Sequence, residues 1–129
     1  MPLVKIETRK SWSASQKYEI MEAVHSAMRE ALKIPENDRD IRYLGYQPED
    51  YQVSPDKTQN YILVEITMFA GRSLQIKKEL YQGIVDNLGK AGISPGDVFI
   101  VLYDVPLENW GIRGGIPASE VDLGFKIGV

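Results

Sequence analysis

The sequence predicts an α/β fold, an α+β two-layer sandwich. Two fused β-α-β units form a four-stranded mixed sheet with two helices on one face, followed by a C-terminal tail. Three observations predict it. Short apolar runs with strand character flank two stretches whose apolar residues recur at helical spacing. The order strand, helix, strand occurs twice. The two occurrences, about 2–47 and 61–106, align at an offset of 60 residues, with serine on serine and proline on proline (Ser13 on Ser73, Pro35 on Pro95).

Leu3-Val4-Lys5-Ile6 alternates as a half-buried strand does. Pro2 fits ahead of it, where no ladder N–H is needed. Ser13 stands three residues before Gln16, the spacing of a capping box that starts a helix. Ile20, Ala23, Val24, Ala27, Met28, Ala31 and Leu32 continue that helix as one apolar stripe. Pro35 is expected to end it by pushing the preceding residue out of the helical region. "IRYLGY", 41–46, is the second strand, and 47–60 is a polar linker with Pro48 and Pro55. "YILVEITMF", 61–69, is a long apolar strand. Gly71-Arg72-Ser73 turns the chain, with Ser73 as the N-cap. Ile76, Leu80, Ile84, Leu88 and Ala91 form the second helical stripe, "GISPGD" closes it, and "VFIVLY", 98–103, is the fourth strand. The strands at 61 and 98 are expected to be too apolar to leave their second face in water, which predicts a homotrimer with those faces inward. The tail after Pro106, with its glycines near Trp110 and a short alternating end at 123–129, is expected to lie on the sheet or on a neighbouring subunit.

At 129 residues the chain is expected to be one domain, 1–129, large enough for a real core. A formal net charge of -3 and a pI near 5.2 argue against a nucleic-acid partner. The absence of cysteine excludes disulfides, thiolate metal sites and thiol chemistry. No charged leader with an apolar core opens the chain and no long apolar run follows, so no membrane partner is expected and the cytoplasm is the expected compartment. No ligand-spaced cluster suggests a metal, and no G-x-S-x-G, Walker A or G-x-G-x-x-G motif suggests a cofactor.

Few residues remain to carry chemistry. His25, the sole histidine, sits beside the first apolar stripe and reads as structural. Lys77 and Lys78 read as a solvated helix face. Arg72 precedes a helix N-terminus, where backbone N–H groups already favour anions; a guanidinium there could complete a carboxylate site. It could equally be an exposed loop arginine. Asp38 lies before the second strand, as a turn aspartate or an active-site acid. Pro2 is either a strand start or, once Met1 is removed, a free secondary amine able to act as base or acid.

Pro2, the doubled unit and "AGRS" at the second helix together resemble the tautomerase superfamily, in which an amino-terminal proline is the catalytic group. The chain resembles the long-chain members similar to malonate semialdehyde decarboxylase. "PLVKIE", "HSAMREALKIPENDRD", "AGRSLQIKKELYQGI" and "NWGIRG" carry this resemblance in order over nearly the whole length. It implies Pro2 as the catalytic amine, Asp38 as the catalytic aspartate and Arg72 as the arginine for the substrate carboxylate. It also implies Trp110 and Ile112 in an apolar wall, and a trimeric assembly. The chain departs from the decarboxylase pattern at Ala70, where a second arginine is expected, at Asn109 in place of aspartate, and at Arg113 in place of glycine. Arg113 is therefore a candidate replacement contact. The implied activity is keto–enol proton transfer on a small 2-oxo or enol carboxylate, with no cofactor. The alternatives are decarboxylation or hydration of a 3-oxo acid, and a non-catalytic oligomeric module for small ligands.

Overall fold

Period-two alternation decides the sheet. The computed structural model describes residues 2–124 and 127. Val4 and Ile6 of β1 (Leu3–Thr8) and Ile62, Val64, Ile66 and Met68 of β3 (Ile62–Phe69) are fully buried. Two helices cover that side: α1 (Ala14–Leu32) with Ile20, Val24, Met28 and Leu32, and α2 (Leu74–Lys90) with Leu80, Ile84 and Leu88. Burying each such side chain contributes about 1.5–3 kcal/mol. β2 (Ile41–Gly45) and β4 (Val98–Val105) complete a four-stranded sheet of order β2-β1-β3-β4. β1 and β2 are parallel, β3 and β4 are parallel, and β1 and β3 are antiparallel. The predicted mixed sheet of two fused β-α-β units is the observed fold.

Both helices start at the predicted serines. Ser13 Oγ accepts from the Gln16 N–H at 3.2 Å while Gln16 Oε1 accepts from the Ser13 N–H at 2.9 Å. Ser73 Oγ accepts from the Ile76 N–H at 3.3 Å. Ser73→Ala is expected to lower stability by about 1 kcal/mol; an unchanged urea midpoint would show the cap to be inert. The end of α1 differs from expectation. Lys33 adopts the left-handed conformation (φ 59°) and its N–H caps Arg29 O at 3.0 Å, so the helix stops at Leu32, three residues before Pro35.

The register of β1 on β3 pairs Lys5 with Glu65. These two residues are equivalents under the 60-residue offset, so the pseudo-two-fold axis of the repeat passes between them. The start of β1 and the start of β3 therefore lie at opposite ends of the sheet.

The second face of the sheet is mixed, not simply apolar. Phe99 and Tyr103 are exposed there, but Lys5, Glu7, Arg42 and Glu65 alternate with the apolar residues. Lys5 Nζ lies 4.0 Å from Glu65, and the Tyr103 hydroxyl donates to Glu65 at 2.6 Å. The exposed half of each strand is chosen independently of its buried half, so the apolar run at 61–69 hides Glu65 and Thr67 on the other side.

Residues 47–60 are largely exposed but anchored at a few points. Tyr51 sits edge-on between Tyr46 and Tyr61, with ring centroids at 5.2 and 6.2 Å. The Thr58 N–H donates to the buried Asp97 carboxylate at 2.8 Å. Burial, reinforced by Tyr61, pushes the Tyr51 phenol from 10.0 up to about 12. A raised phenol favours the protonated fold, so this contribution is complete below pH 10.0 and is lost as pH rises toward 12. A spectrophotometric titration should show several tyrosines ionising late, because Tyr43, Tyr46, Tyr61 and Tyr103 are raised as well; Tyr51→Phe should remove the latest phase. Ionisation of every tyrosine in the ordinary range would refute the packing.

Candidate active site

The strand directions gather one end of the molecule. They bring the starts of β1 and β2 beside the ends of β3 and β4. Pro2 precedes β1, Asp38 precedes β2, Arg72 follows β3 and the tail follows β4, so all of them belong to this end. The Val4 N–H donates to Asp40 O at 2.9 Å. The same parallel register carried back brings Pro2 level with Arg39, the neighbour of Asp38. Pro2 is buried and Asp38 is half-buried, with the Asp38 N–H donating to Pro35 O at 3.1 Å.

Arg72 is not a solvated loop residue. It is 7% exposed, and its Nη1 donates to Phe69 O at 3.3 Å. It makes no salt bridge among the described residues. Burial pushes its guanidinium down from the ordinary arginine range, and the charge of Asp104 only partly opposes this. The Asp104 carboxylate is itself held by Lys77 Nζ. Lys77 is therefore fixed against β4 instead of standing free on a solvated face. A buried cation short of anionic partners is costly, and an anion bound beside it offsets that cost. Arg72 also immediately precedes the N-cap of α2, whose free N–H groups favour the same charge.

The repeat supplies an internal comparison. The residue before the N-cap of α1 is Trp12, buried, with Lys10 Nζ 4.4 Å from its ring centroid. Where one end of the sheet buries a guanidinium, the other buries an indole. The two halves share a backbone plan, and the charge sits at the Pro2 end.

The tail folds onto this same end of its own sheet. Trp110 packs edge-on against Phe69 with centroids 4.8 Å apart, and its Nε1 donates to Val105 O at 3.1 Å. β5 (Gly111–Ile112) and β6 (Ile116–Pro117) make a hairpin that sequence patterning did not reveal. Ile112, Leu123, Ile127, Leu3 and Val105 complete a second small cluster around Phe69, Trp110 and Ala118. Of the expected end at 123–129, residues 125, 126, 128 and 129 lie outside the described residues, as does Met1. Arg113 is exposed at the hairpin tip in the left-handed region (φ 51°). It alone of the six predicted site residues lies outside the buried or half-buried set. Gly71 next to Arg72 has φ 133°, and a Cβ there would come within 2.9 Å of Ile127 Cγ2. Gly71→Ala is therefore expected to cost about 1–3 kcal/mol, measured as a drop in urea midpoint. A neutral result would mean that this contact with the tail is dispensable.

A family model described as "Tautomerase enzyme" matches residues 38–113, and a second of the same description matches residues 2–56. The chain belongs to the tautomerase family. It is 26% identical over 121 residues to the probable tautomerase YusQ of Bacillus subtilis (strain 168), covering 89% of this chain and 95% of that protein. This tautomerase-family chain shares its fold with malonate semialdehyde decarboxylase, whose crystal structure superposes with a TM-score of 0.79 at 23% identity, over 85% of this chain and 89% of that one. A fused 4-OT solved as a symmetric trimer matches with a TM-score of 0.81 at 21% identity, over 91% and 96%. At these identities the structural likeness establishes the fold.

Two cavities stand out, and no predicted site residue lines either of them. One of about 400 Å³ opens on the second face of the sheet between Leu3, Lys5, Arg42, Thr67, Tyr103 and Val105, with Glu65 in its wall. Leu3 and Val105 belong also to the Trp110 cluster, so this hollow adjoins the Pro2 end. The Tyr103 hydroxyl holds the Glu65 carboxyl below the usual range. Sequence reasoning missed Arg42 and Tyr103; their signal was the outward phase of two strands, legible only once the inward phase is known. A larger groove of about 680 Å³ runs between α1 and α2, and no predicted site residue lines it.

Proposed function

We propose that this chain catalyses keto–enol proton transfer on a small 2-oxo or enol carboxylate, with Pro2 as the acid–base group after removal of Met1. The observation that supports this reading is the buried Arg72, without a salt bridge among the described residues, just before the N-cap of α2 on the same end of the sheet as Pro2. The substrate carboxylate sits on Arg72 and the helix N-terminus. The Pro2 nitrogen takes the enol O–H proton. The electron pair left on oxygen forms the carbonyl, and the C=C pair takes the proton back from nitrogen to form the C–H bond. A free α-amine titrates at roughly 8, and a secondary amine is more basic, so burial and the Arg72 charge must lower it to serve as base near neutrality. Trp110 and Ile112 exclude water, and Arg113 supplies an outer contact to the substrate. The chain works as a homotrimer, as its fused 4-OT neighbour does; a stable monomer in sedimentation at micromolar concentration would defeat that assembly.

Asp38 supports a second reading, a decarboxylase or hydratase acting on a 3-oxo acid. A carboxylate beside Pro2 favours the cation, which polarises a substrate carbonyl. Asp38→Asn separates the two. In a tautomerase, the variant turns over the enol of a 2-oxo acid with its acidic limb moved to lower pH. In a decarboxylase, turnover of malonate semialdehyde collapses. The test is a pH–rate profile on both substrates with protein whose Met1 is shown by intact mass to be absent. Activity on neither substrate class would favour the non-catalytic module.

A further inference from the structure

His25 is completely buried on the inner side of α1, yet it does not pack as a simple apolar filler. Its Nε2 lies 3.0 Å from Glu36 O. A carbonyl only accepts, so Nε2 carries the hydrogen and donates. Its Nδ1 has no hydrogen-bond partner among the described residues. The same Glu36 carbonyl accepts from Arg39 Nε at 3.3 Å. Arg39 in turn pairs with Glu22 of α1 and with the Glu36 carboxylate, and Arg29 of α1 reaches that carboxylate at 2.5 Å. The turn at 35–38 is thus pegged to α1 from beneath by one buried hydrogen bond and from above by a surface ion network. On its other side Asp40 O holds the start of β1 through the Val4 N–H. Exposed ion pairs contribute little. A hydrogen bond from a fully buried donor contributes more, because leaving that donor without an acceptor is costly.

We propose that His25 is a positioning residue for Asp38: it fixes the turn that carries Asp38 and so sets how strongly that carboxylate acts on Pro2. The inference rests on the proposed pairing of Asp38 with Pro2. The groups that bear on the proline are Asp38 from the turn and Arg72 from the end of β3, with Asp104 behind Arg72. Those facing the peg itself are Glu22, Arg29, Glu36 and Arg39.

The test is a set of pH–rate profiles on the enol of a 2-oxo acid. Asp38→Asn should move the acidic limb to lower pH by about one unit, the scale of a neighbouring opposite charge. His25→Phe keeps the ring and removes the donor; it should move the limb in the same direction by roughly half as much, on the same grounds. His25→Gln keeps an amide N–H at the Nε2 position and should restore the wild-type limb. In the Asp38→Asn background His25→Phe should add no further shift. Arg39→Ala is largely exposed and leaves the core intact, so it reads the turn without risk to folding. It too should move the limb down, whereas loss of a cation alone would raise it. A wild-type limb in His25→Phe, a full additive shift in the double variant, or an upward shift in Arg39→Ala each overturns the positioning role. An unshifted Asp38→Asn instead overturns the pairing on which the inference rests.

Discussion

Pro2→Ala is expected to lower kcat on the best enol carboxylate by about 10²–10⁴-fold, the range that a positioned acid–base group contributes. The variant retains an α-amine once Met1 is removed, so the loss measures the change from a secondary to a primary amine together with the lost ring geometry. Stability should change little. Pro2 stands one residue outside the β1–β3 register and donates no ladder hydrogen bond. Steady-state kinetics paired with far-UV circular dichroism reads both quantities. A variant that folds and keeps its full rate would remove Pro2 from the chemistry. A protein whose Met1 is retained should lose at least as much activity as the variant, because an amide nitrogen cannot take up the proton.

Arg72→Ala is the second large effect. It should lower kcat/KM by about 2–4 kcal/mol, the contribution of one or two charge-assisted hydrogen bonds. The same substitution removes a buried cation that has no salt bridge among the described residues, so thermal stability should hold or rise while activity falls. That opposition is diagnostic. A structural arginine would lose stability and activity together. Arg72→Lys should recover only part of the loss, because an ammonium lacks the planar fork. Arg113→Ala should cost less than either, since its side chain stands on an exposed hairpin tip. Equal kinetics in Arg72→Ala and the parent would remove the carboxylate site.

Periodicity and capping were enough to place four strands and two helices. Both serine caps and both apolar stripes are local signals, each decided within a few residues of chain. The end of α1 was misplaced because two local signals competed, and a left-handed Lys33 acts before Pro35 can. The tail was left open because its partners are distant. Phe69 and Trp110 meet across about forty residues, and no local pattern announces such a contact. The hairpin around Arg113 is two residues per strand, too short for alternation to register.

Read as a string of residues, the chain declares its doubled unit, its helix starts, its family and the residue types that could do chemistry. Those properties are local or repetitive, and period, cap and spacing survive in one dimension. Which end of the sheet carries charge is a different matter. The two halves are near-equivalents, and the string treats Arg72 and Trp12 as two residues before two serines. Only the antiparallel register of β1 on β3, with the parallel pairings on either side, brings Pro2, Asp38 and Arg72 to one end. Burial then separates an ordinary loop arginine from a guanidinium held out of water, because desolvation depends on everything packed around a group and not on its neighbours in sequence. The same holds for His25: its place beside the apolar stripe predicted a structural residue, and only the packed turn shows what that residue holds in place.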